Sequence, residues 1–288
     1  MASLGKKLML VTGERITTQS QLQTFDVETY DGHDLATREC TLTRWLAMLG
    51  ANQGIGFETA KNVLLGSPNF HVILSSRKLA SGEEAVQKLS AEAGIQGTVS
   101  SIQIDVTDDK SVDEAAKKVA ADYGRLDILV NNAGIVSLAN TPSREKYREV
   151  LNTNVVGALS MTETFLDLLR KSSEPRIVFV SSSVGSITQA ADPTSKYYSD
   201  NGFEYRSSKA AMNMLLVLYH NRLQKEGIKV LGADPGLCAT NFTGNAAALL
   251  SRGAATPAQG GDRVATVAKG EKDADVGHVL GEYGISPW

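Results

Sequence analysis

Leu8-Met9-Leu10-Val11-Thr12-Gly13 and Gly50-Ala51-Asn52-Gln53-Gly54-Ile55-Gly56 decide the fold of this chain, and they stand apart in the sequence. The first stretch reads as a continuously apolar strand running into a tight turn. The second reads as a glycine turn opening a helix, whose unpaired N–H groups and positive dipole end suit an anion. Joined at the glycine they give Val-Thr-Gly-Ala-Asn-Gln-Gly-Ile-Gly, the strand–turn–helix pattern that cradles a dinucleotide pyrophosphate. Glycine at 54 and 56 lets the backbone approach the phosphates and the helix pack closely on its strand.

Glu14–Gly50 fits neither side of that pattern. Two segments compete for the first strand, Leu8–Val11 and Trp45–Leu49, both continuously apolar as a strand covered on two faces must be. Trp45–Leu49 keeps the glycine turn contiguous. Leu8–Val11 carries Thr12-Gly13 and avoids placing bulky Trp45 in the central sheet, so it is preferred, with Glu14–Gly50 thrown out as a loop. So long a structureless loop inside a compact domain argues against the segment itself. Glu14–Gly50 is therefore read as a translated intron: codons for Gly13-Glu14-Arg15 can carry a GTGAG donor, and those for Leu49-Gly50 a CTAG acceptor in the same phase. His33, Asp34 and Cys40 within it are read as incidental rather than as metal ligands.

Beyond the turn, helical patterns alternate with short apolar runs. Helices are expected at Phe57–Leu65, Ser81–Ala93, Ser111–Tyr123, Arg144–Leu169 and Tyr205–Leu223. Strands are expected at His71–Leu74, Val99–Ile104, Leu126–Val130, Arg176–Val180, Ile228–Gly232 and His278–Glu282. This alternation predicts an α/β chain with a single doubly wound, Rossmann-type parallel sheet and helices on both faces. Its ligand site should lie at the carboxyl ends of the strands. Gly244–Gly270 is read as one or two short helices at the edge of that site. A chain of 288 residues suits one such domain.

The net charge of −3 gives no electrostatic reason to expect nucleic acid or an anionic membrane as partner. No apolar run is long enough to span a bilayer, and Leu8–Val11 is too short for a signal-peptide core. Two cysteines, Cys40 and Cys238, exclude a disulfide framework and point to a reducing, cytoplasmic setting. The four histidines are dispersed, so no metal is expected.

The end of the second strand separates the two nicotinamide dinucleotides. A carboxylate there would bind a ribose 2′-OH, but the residues are Ser75-Ser76-Arg77. Arg77 can fork onto a 2′-phosphate, which favours NADP(H) over NAD(H). Tyr205 and Lys209, spaced i, i+4 at the start of a helix, project from one face. An ammonium beside a phenol favours phenolate and should lower the Tyr205 pKa, suiting it to exchange a proton with an alkoxide or alcohol. Ser181-Ser182-Ser183 follow a strand at its carboxyl edge, where a hydroxyl can donate to a substrate oxygen. Asn154 lies inside a helix, where Asn is a poor former; it either holds a water or is a satisfied core amide.

These residues together resemble the short-chain dehydrogenase/reductase family. Thr12-Gly13 with Ala51–Gly56, Asp105, Asn131–Gly134, Asn154, Ser182, Tyr205-x-x-x-Lys209 and Pro235-Gly236 occur in that family's order. Ser75-Ser76-Arg77 and the terminal Trp288 are similar to NADPH-dependent carbonyl reductases. The resemblance implies that Gly13, Asn52, Gln53, Gly54, Ile55, Gly56, Ser76 and Arg77 bind the cofactor. It implies that Asp105 and Val106 hold the adenine, and that Asn132, Ala133 and Gly134 line the cofactor. Pro235-Gly236 belongs to the same site, and Thr240 contacts the carboxamide. Ser182 polarises the carbonyl, with Ser181 and Ser183 remaining open; Tyr205 is the general acid/base. Lys209 binds the nicotinamide ribose and tunes Tyr205, and Asn154 anchors a relay water. Gln53 stands where NADP-preferring members often carry Lys or Arg, which leaves the 2′-phosphate to Arg77. The long Ser182–Tyr205 spacing puts an extra lobe, Gln189–Phe203, at the substrate mouth, with Leu237–Leu250 as its other wall.

The implied activity is NADP(H)-dependent hydride transfer to or from a ketone, an aldehyde or a secondary alcohol, by a monomer or homodimer acting on a small molecule. A non-catalytic NADP(H)-binding protein, or an inactive product with a disrupted glycine turn, is the alternative.

Overall fold

The computed structural model describes residues 43–137, 141–243 and 245–288 of the chain. Eight strands form one sheet: β1 (Arg44–Met48), β2 (Phe70–Ser76), β3 (Thr98–Gln103), β4 (Ile128–Asn131), β5 (Arg176–Val180), β6 (Lys229–Ala233), β7 (Val279–Gly281) and β8 (Gly284–Ile285). Their order is β3-β2-β1-β4-β5-β6-β7-β8. The first seven run parallel and β8 turns back antiparallel on β7. The order reverses between β1 and β4, which is where a doubly wound sheet opens a crevice.

Strand residues alternate between two cores. Ala47, Ile177 and Phe179 face one, with residues of α3 (Asp109–Tyr123), α5 (Gly157–Leu169) and α7 (Phe203–Leu223). Leu46, Met48, Val178 and Val180 face the other, with α1 (Gly54–Gly66), α2 (Leu79–Ala91) and α9 (Pro257–Lys269). Both faces are therefore apolar, as a parallel sheet under two helical layers requires. α9 lies on α1 through Gly260 and Gly261; a Cβ at 261 would sit 2.4 Å from Glu58 Cβ.

The first strand departs from expectation. It is Arg44–Met48, and Leu8–Val11 with Thr12-Gly13 lies outside the described residues, as do His33, Asp34 and Cys40. β1 is hydrogen-bonded along both edges, to β2 (Leu46↔Val72) and to β4 (Leu46↔Ile128), so no strand position is left between them. The objection from Trp45 fails because its ring sits at the amino end of the strand, half-buried. There it packs edge-on to His71 with centroids 5.0 Å apart and against Tyr123 at 4.5 Å. Glu14–Gly50 is thus not loop throughout: Arg44–Gly50 is strand and turn. The glycine turn runs unbroken from β1 into α1, which corrects the reading of a disrupted turn.

The expected long helix Arg144–Leu169 is α4 (Arg144–Leu151) and α5 joined through one π-turn, Asn152–Val156. Where one or two short helices were expected in Gly244–Gly270, the structure has the short α8 (Ala246–Ser251) and the 13-residue α9. The short α6 (Ile187–Ala191) and strand β8 were not anticipated. Among the described residues no helix is long and apolar enough to cross a membrane.

Candidate active site

A cavity of about 1250 Å³ runs along the carboxyl ends of β1, β2, β4, β5 and β6. Every described site candidate lines it except Asn154, which is fully buried behind the wall; Gly13 lies outside the described residues.

The glycine turn takes its shape from backbone that other residues cannot copy. Gly50 and Gly54 both have φ of +59°, the left-handed region that favours glycine. At Gly56 a Cβ would lie 2.7 Å from Asn132 Nδ2 and 2.8 Å from Ala51 Cα. Gly50 N–H donates to Ser75 Oγ (3.2 Å), Ala51 N–H donates to Ser75 O (3.0 Å), and Asn132 Nδ2 donates to Leu49 O (2.8 Å). Gly50 thus fills the place foreseen for Gly13. α1 begins without a side-chain cap, so its first N–H groups face the cavity from Gly54 and Ile55. A pyrophosphate fits that cradle: close backbone, free donors and a positive dipole end.

At the end of β2, Ser76 is buried while Arg77 and the following Lys78 are exposed on the cavity rim. Neither cation forms an ion pair among the described residues. Lys78 was missed from sequence because the motif ends at Arg77. Asp105 follows β3, where Thr107 donates to its carboxylate from N–H (2.9 Å) and Oγ1 (2.7 Å). Those bonds hold its pKa below the usual value, with Arg77 acting in the same direction. Val106, Ala133 and Gly134 continue the wall.

The three serines after β5 have different partners. Ser181 is buried and donates to Asn213 Oδ1. Ser183 gives both its N–H (2.7 Å) and its hydroxyl to Asp234 Oδ2. Ser182 Oγ accepts from Val184 N–H at 3.4 Å and keeps its own hydrogen for the cavity it lines. Tyr205 and Lys209 meet on the same wall, with the Lys209 Nζ 5.5 Å from the Tyr205 ring centroid. Lys209 Nζ donates to Val180 O at 2.7 Å.

The electrostatics reverse one expectation. Burial raises the Tyr205 pKa, and the negative charge of Asp234 raises it further, so the expected lowering by Lys209 is not realised. Burial pulls Lys209 down to about 8, against the opposing pull of Asp234. Tyr205 is thus held as a phenol, with a proton to give. Asp234 was invisible in the sequence beside Pro235-Gly236. It also accepts Gly236 N–H (2.8 Å), so one carboxylate fastens the serine loop to the Pro-Gly turn.

Asn154 sits in the π-turn. Its Nδ2 donates to Ile135 O and Ser208 Oγ (3.0 Å each), and its Oδ1 accepts Ile135 N–H (2.8 Å). Both side-chain donors are spent, so this amide braces the exit of β4 against α7. Thr240 lies over Gly54: a Cβ at 54 would be 3.8 Å from Thr240 Cγ2. Tyr197, Asn201 and Gly202 of the 189–203 segment line the far end of the cavity opposite Leu237–Phe242.

The sequence pattern of the family described as "short chain dehydrogenase" matches residues 44–249. The short-chain dehydrogenase/reductase tropE of Talaromyces stipitatus is 34% identical over 82% of this chain and 94% of that protein. The short-chain dehydrogenase anuI of Penicillium roqueforti is 45% identical over 68% of this chain and 79% of its own length. Among solved structures, NADPH-bound carbonyl reductase from chicken fatty liver superposes with a TM-score of 0.71 at 28% identity, covering 85% of this chain and 99% of that one. Salutaridine reductase from Papaver somniferum gives 0.66 at 25% identity, covering 82% and 99%. The match begins at Arg44, where the sheet begins, and spans the glycine turn, the serine loop, Tyr205 and Lys209; this chain belongs to the short-chain dehydrogenase family of oxidoreductases.

Proposed function

We propose that the protein is an NADP(H)-dependent reductase of a ketone or aldehyde, able to run in reverse on the secondary alcohol. The observation that carries this reading is the meeting of Ser182, Tyr205 and Lys209 on one wall of a cavity whose other end is the glycine turn. Bound NADPH supplies the hydride. Ser182 donates its free hydroxyl hydrogen to the carbonyl oxygen, polarising it. Tyr205, kept protonated by burial, gives its proton to the alkoxide as it forms. Lys209 holds a ribose hydroxyl and, as an ammonium, stabilises the phenolate left behind. Asn154 braces the backbone after β4 against α7, the helix that carries Tyr205 and Lys209. The glycine turn and the amino end of α1 hold the pyrophosphate. Gln53 belongs to that turn, Ser76 lies with Arg77 at the end of β2, and Asp105 with Val106 would take the adenine.

The likeness to the NADPH-bound carbonyl reductase from chicken fatty liver supports the NADP(H) assignment. So do Arg77 and Lys78, two exposed cations at the end of β2 that form no ion pair among the described residues. The test is consumption of NADPH and NADH in parallel against a panel of ketones and aldehydes. Carbonyl-dependent NADPH consumption is expected. Tight NADPH binding with no turnover on any carbonyl would instead favour a non-catalytic binding protein. Arg77→Gln combined with Lys78→Gln is expected to raise the KM for NADPH about tenfold to a hundredfold, as lost charge-assisted bonds to a phosphate should. The KM for NADH should barely move, and equal losses for both would reject the 2′-phosphate role.

Lys209 also sets a pH dependence. Its folded pKa of about 8 lies below its ordinary 10.5, so the ammonium is half lost at about pH 8, complete only well below it and gone well above it. Reduction should therefore fall as pH rises through that value. Asp234 holds the Lys209 pKa up, so Asp234→Asn should move the falling limb of kcat/KM to lower pH; an alkaline shift would contradict the assignment.

A further inference from the structure

The substrate end of the cavity carries a cation that nothing in the reduction chemistry requires. Arg206 follows Tyr205 on α7, lines the cavity and is half-buried. Its guanidinium makes one hydrogen bond, Nη2 to the Tyr197 carbonyl at 2.7 Å. Its stem packs along Gly202, where a Cβ would lie 3.5 Å from Arg206 Cγ and Cδ. Among the described residues it forms no ion pair. Four of its five N–H donors are thus unspent, in a fork whose geometry suits a carboxylate.

The carboxylates nearby in sequence do not pair with it. Asp234 is taken up by Ser183 and Gly236. Glu204 is buried, with Oε1 accepting Ser143 N–H and Oε2 left without a partner among the described residues; Asp192 accepts Thr194 N–H and hydroxyl, and Asp200 is exposed. A second cation, Lys196 Nζ, stands over the rings of Tyr197 (5.1 Å) and Tyr283 (4.5 Å). The facing wall is apolar: Leu237 and Phe242 are exposed, and the Phe242 ring stands edge-on to Tyr205 at 5.8 Å. Structural arginines usually find a carboxylate in their own chain. A half-buried guanidinium pinned by one carbonyl, beside the proton donor and across from aromatic surface, is shaped to receive one from outside.

We propose that Arg206 recognises an anionic oxygen group on the substrate, so that the preferred carbonyl compound is an apolar or aromatic body bearing a carboxylate. This rests on the reductase reading above. The Tyr197 carbonyl fixes one edge of the guanidinium, leaving the other edge to bind the anion and orient the carbonyl toward Ser182 and Tyr205.

The test compares benzoylformate and acetylbenzoate with their methyl esters, which keep the carbonyl and the ring and remove the charge. The wild-type protein should favour the acids in kcat/KM. In Arg206→Gln the acid-to-ester ratio should fall about tenfold to a hundredfold, the range for a lost bond to a charged group, mostly through KM. Arg206→Lys should retain part of the preference. High salt should weaken the acids and spare the esters. Wild-type protein that handles esters as well as acids would overturn the proposal. So would an Arg206→Gln variant that lowers both members equally, because the residue would then only hold the 189–203 segment. Calorimetric binding of acetylbenzoate and its ester to the NADP-saturated protein reads the same ratio without turnover. If the acid binds with an Arg206-dependent preference but no carbonyl is reduced, the reductase reading fails and the anion site stands.

Discussion

Tyr205→Phe is expected to reduce carbonyl turnover by about 10²–10⁴-fold, the usual contribution of a positioned general acid, while NADPH affinity stays within about twofold. The substitution deletes one oxygen and keeps the ring, so the edge-on packing against Phe242 and the stacking of Lys209 over the ring persist. What disappears is the phenolic proton. The fall should appear in kcat and kcat/KM alike, as for a group that acts only in the transition state. Single-turnover reduction monitored by NADPH fluorescence separates the two quantities. A variant that binds NADPH and still reduces ketones at near wild-type rates would remove Tyr205 from the chemistry and send the proton transfer elsewhere.

The second large effect is expected at Gly56. Alanine there brings a Cβ within 2.8 Å of Ala51 Cα and 2.9 Å of Gly50 O, both backbone atoms of the turn that cannot swing aside. Overpacking of this kind costs about 1–3 kcal/mol. If it deforms the cradle, the strain falls on the bound state, and NADPH affinity should weaken about tenfold or more. Titration of NADPH fluorescence gives the affinity, and urea unfolding shows how much of the cost falls on the fold itself. Unchanged affinity in a stably folded Gly56→Ala protein would mean that the pyrophosphate does not rest on this turn.

Much of the architecture was legible in the order of apolar runs and helical patterns. β5 was located to the residue, because Arg176–Val180 is apolar beyond its first residue and bounded by breakers. The first strand was misjudged because local sequence could not separate two apolar runs of similar length. What decides between them is tertiary: Arg44–Met48 is paired along both edges, to β2 and β4, and the room for Trp45 comes from His71 and Tyr123, far away in sequence. The π-turn at Asn152–Val156 leaves no mark in a pattern of period 3.6. Among the proposed site residues, those belonging to a contiguous motif could be named from sequence, and those defined by a partner could not. Lys78 and Asp234 look like ordinary loop residues until their neighbours are known. Nor could the serine run say which hydroxyl was spare; Asn213 and Asp234 make that choice by taking the other two.

The Asp234 carboxylate has a mechanical consequence as well as an electrical one. By accepting from Ser183 and Gly236 together, it ties the tips of two neighbouring strands into a single jaw. The serine loop and the Pro-Gly wall are thereby held together, so parting them would break these bonds. The opposite jaw is the 192–202 segment, tied by Arg206 on the Tyr197 carbonyl and by Lys196 over the Tyr283 ring. Arg206 therefore has two duties on that side of the cavity: it would greet an incoming anion with one edge of its guanidinium while the other edge keeps the 192–202 segment in place.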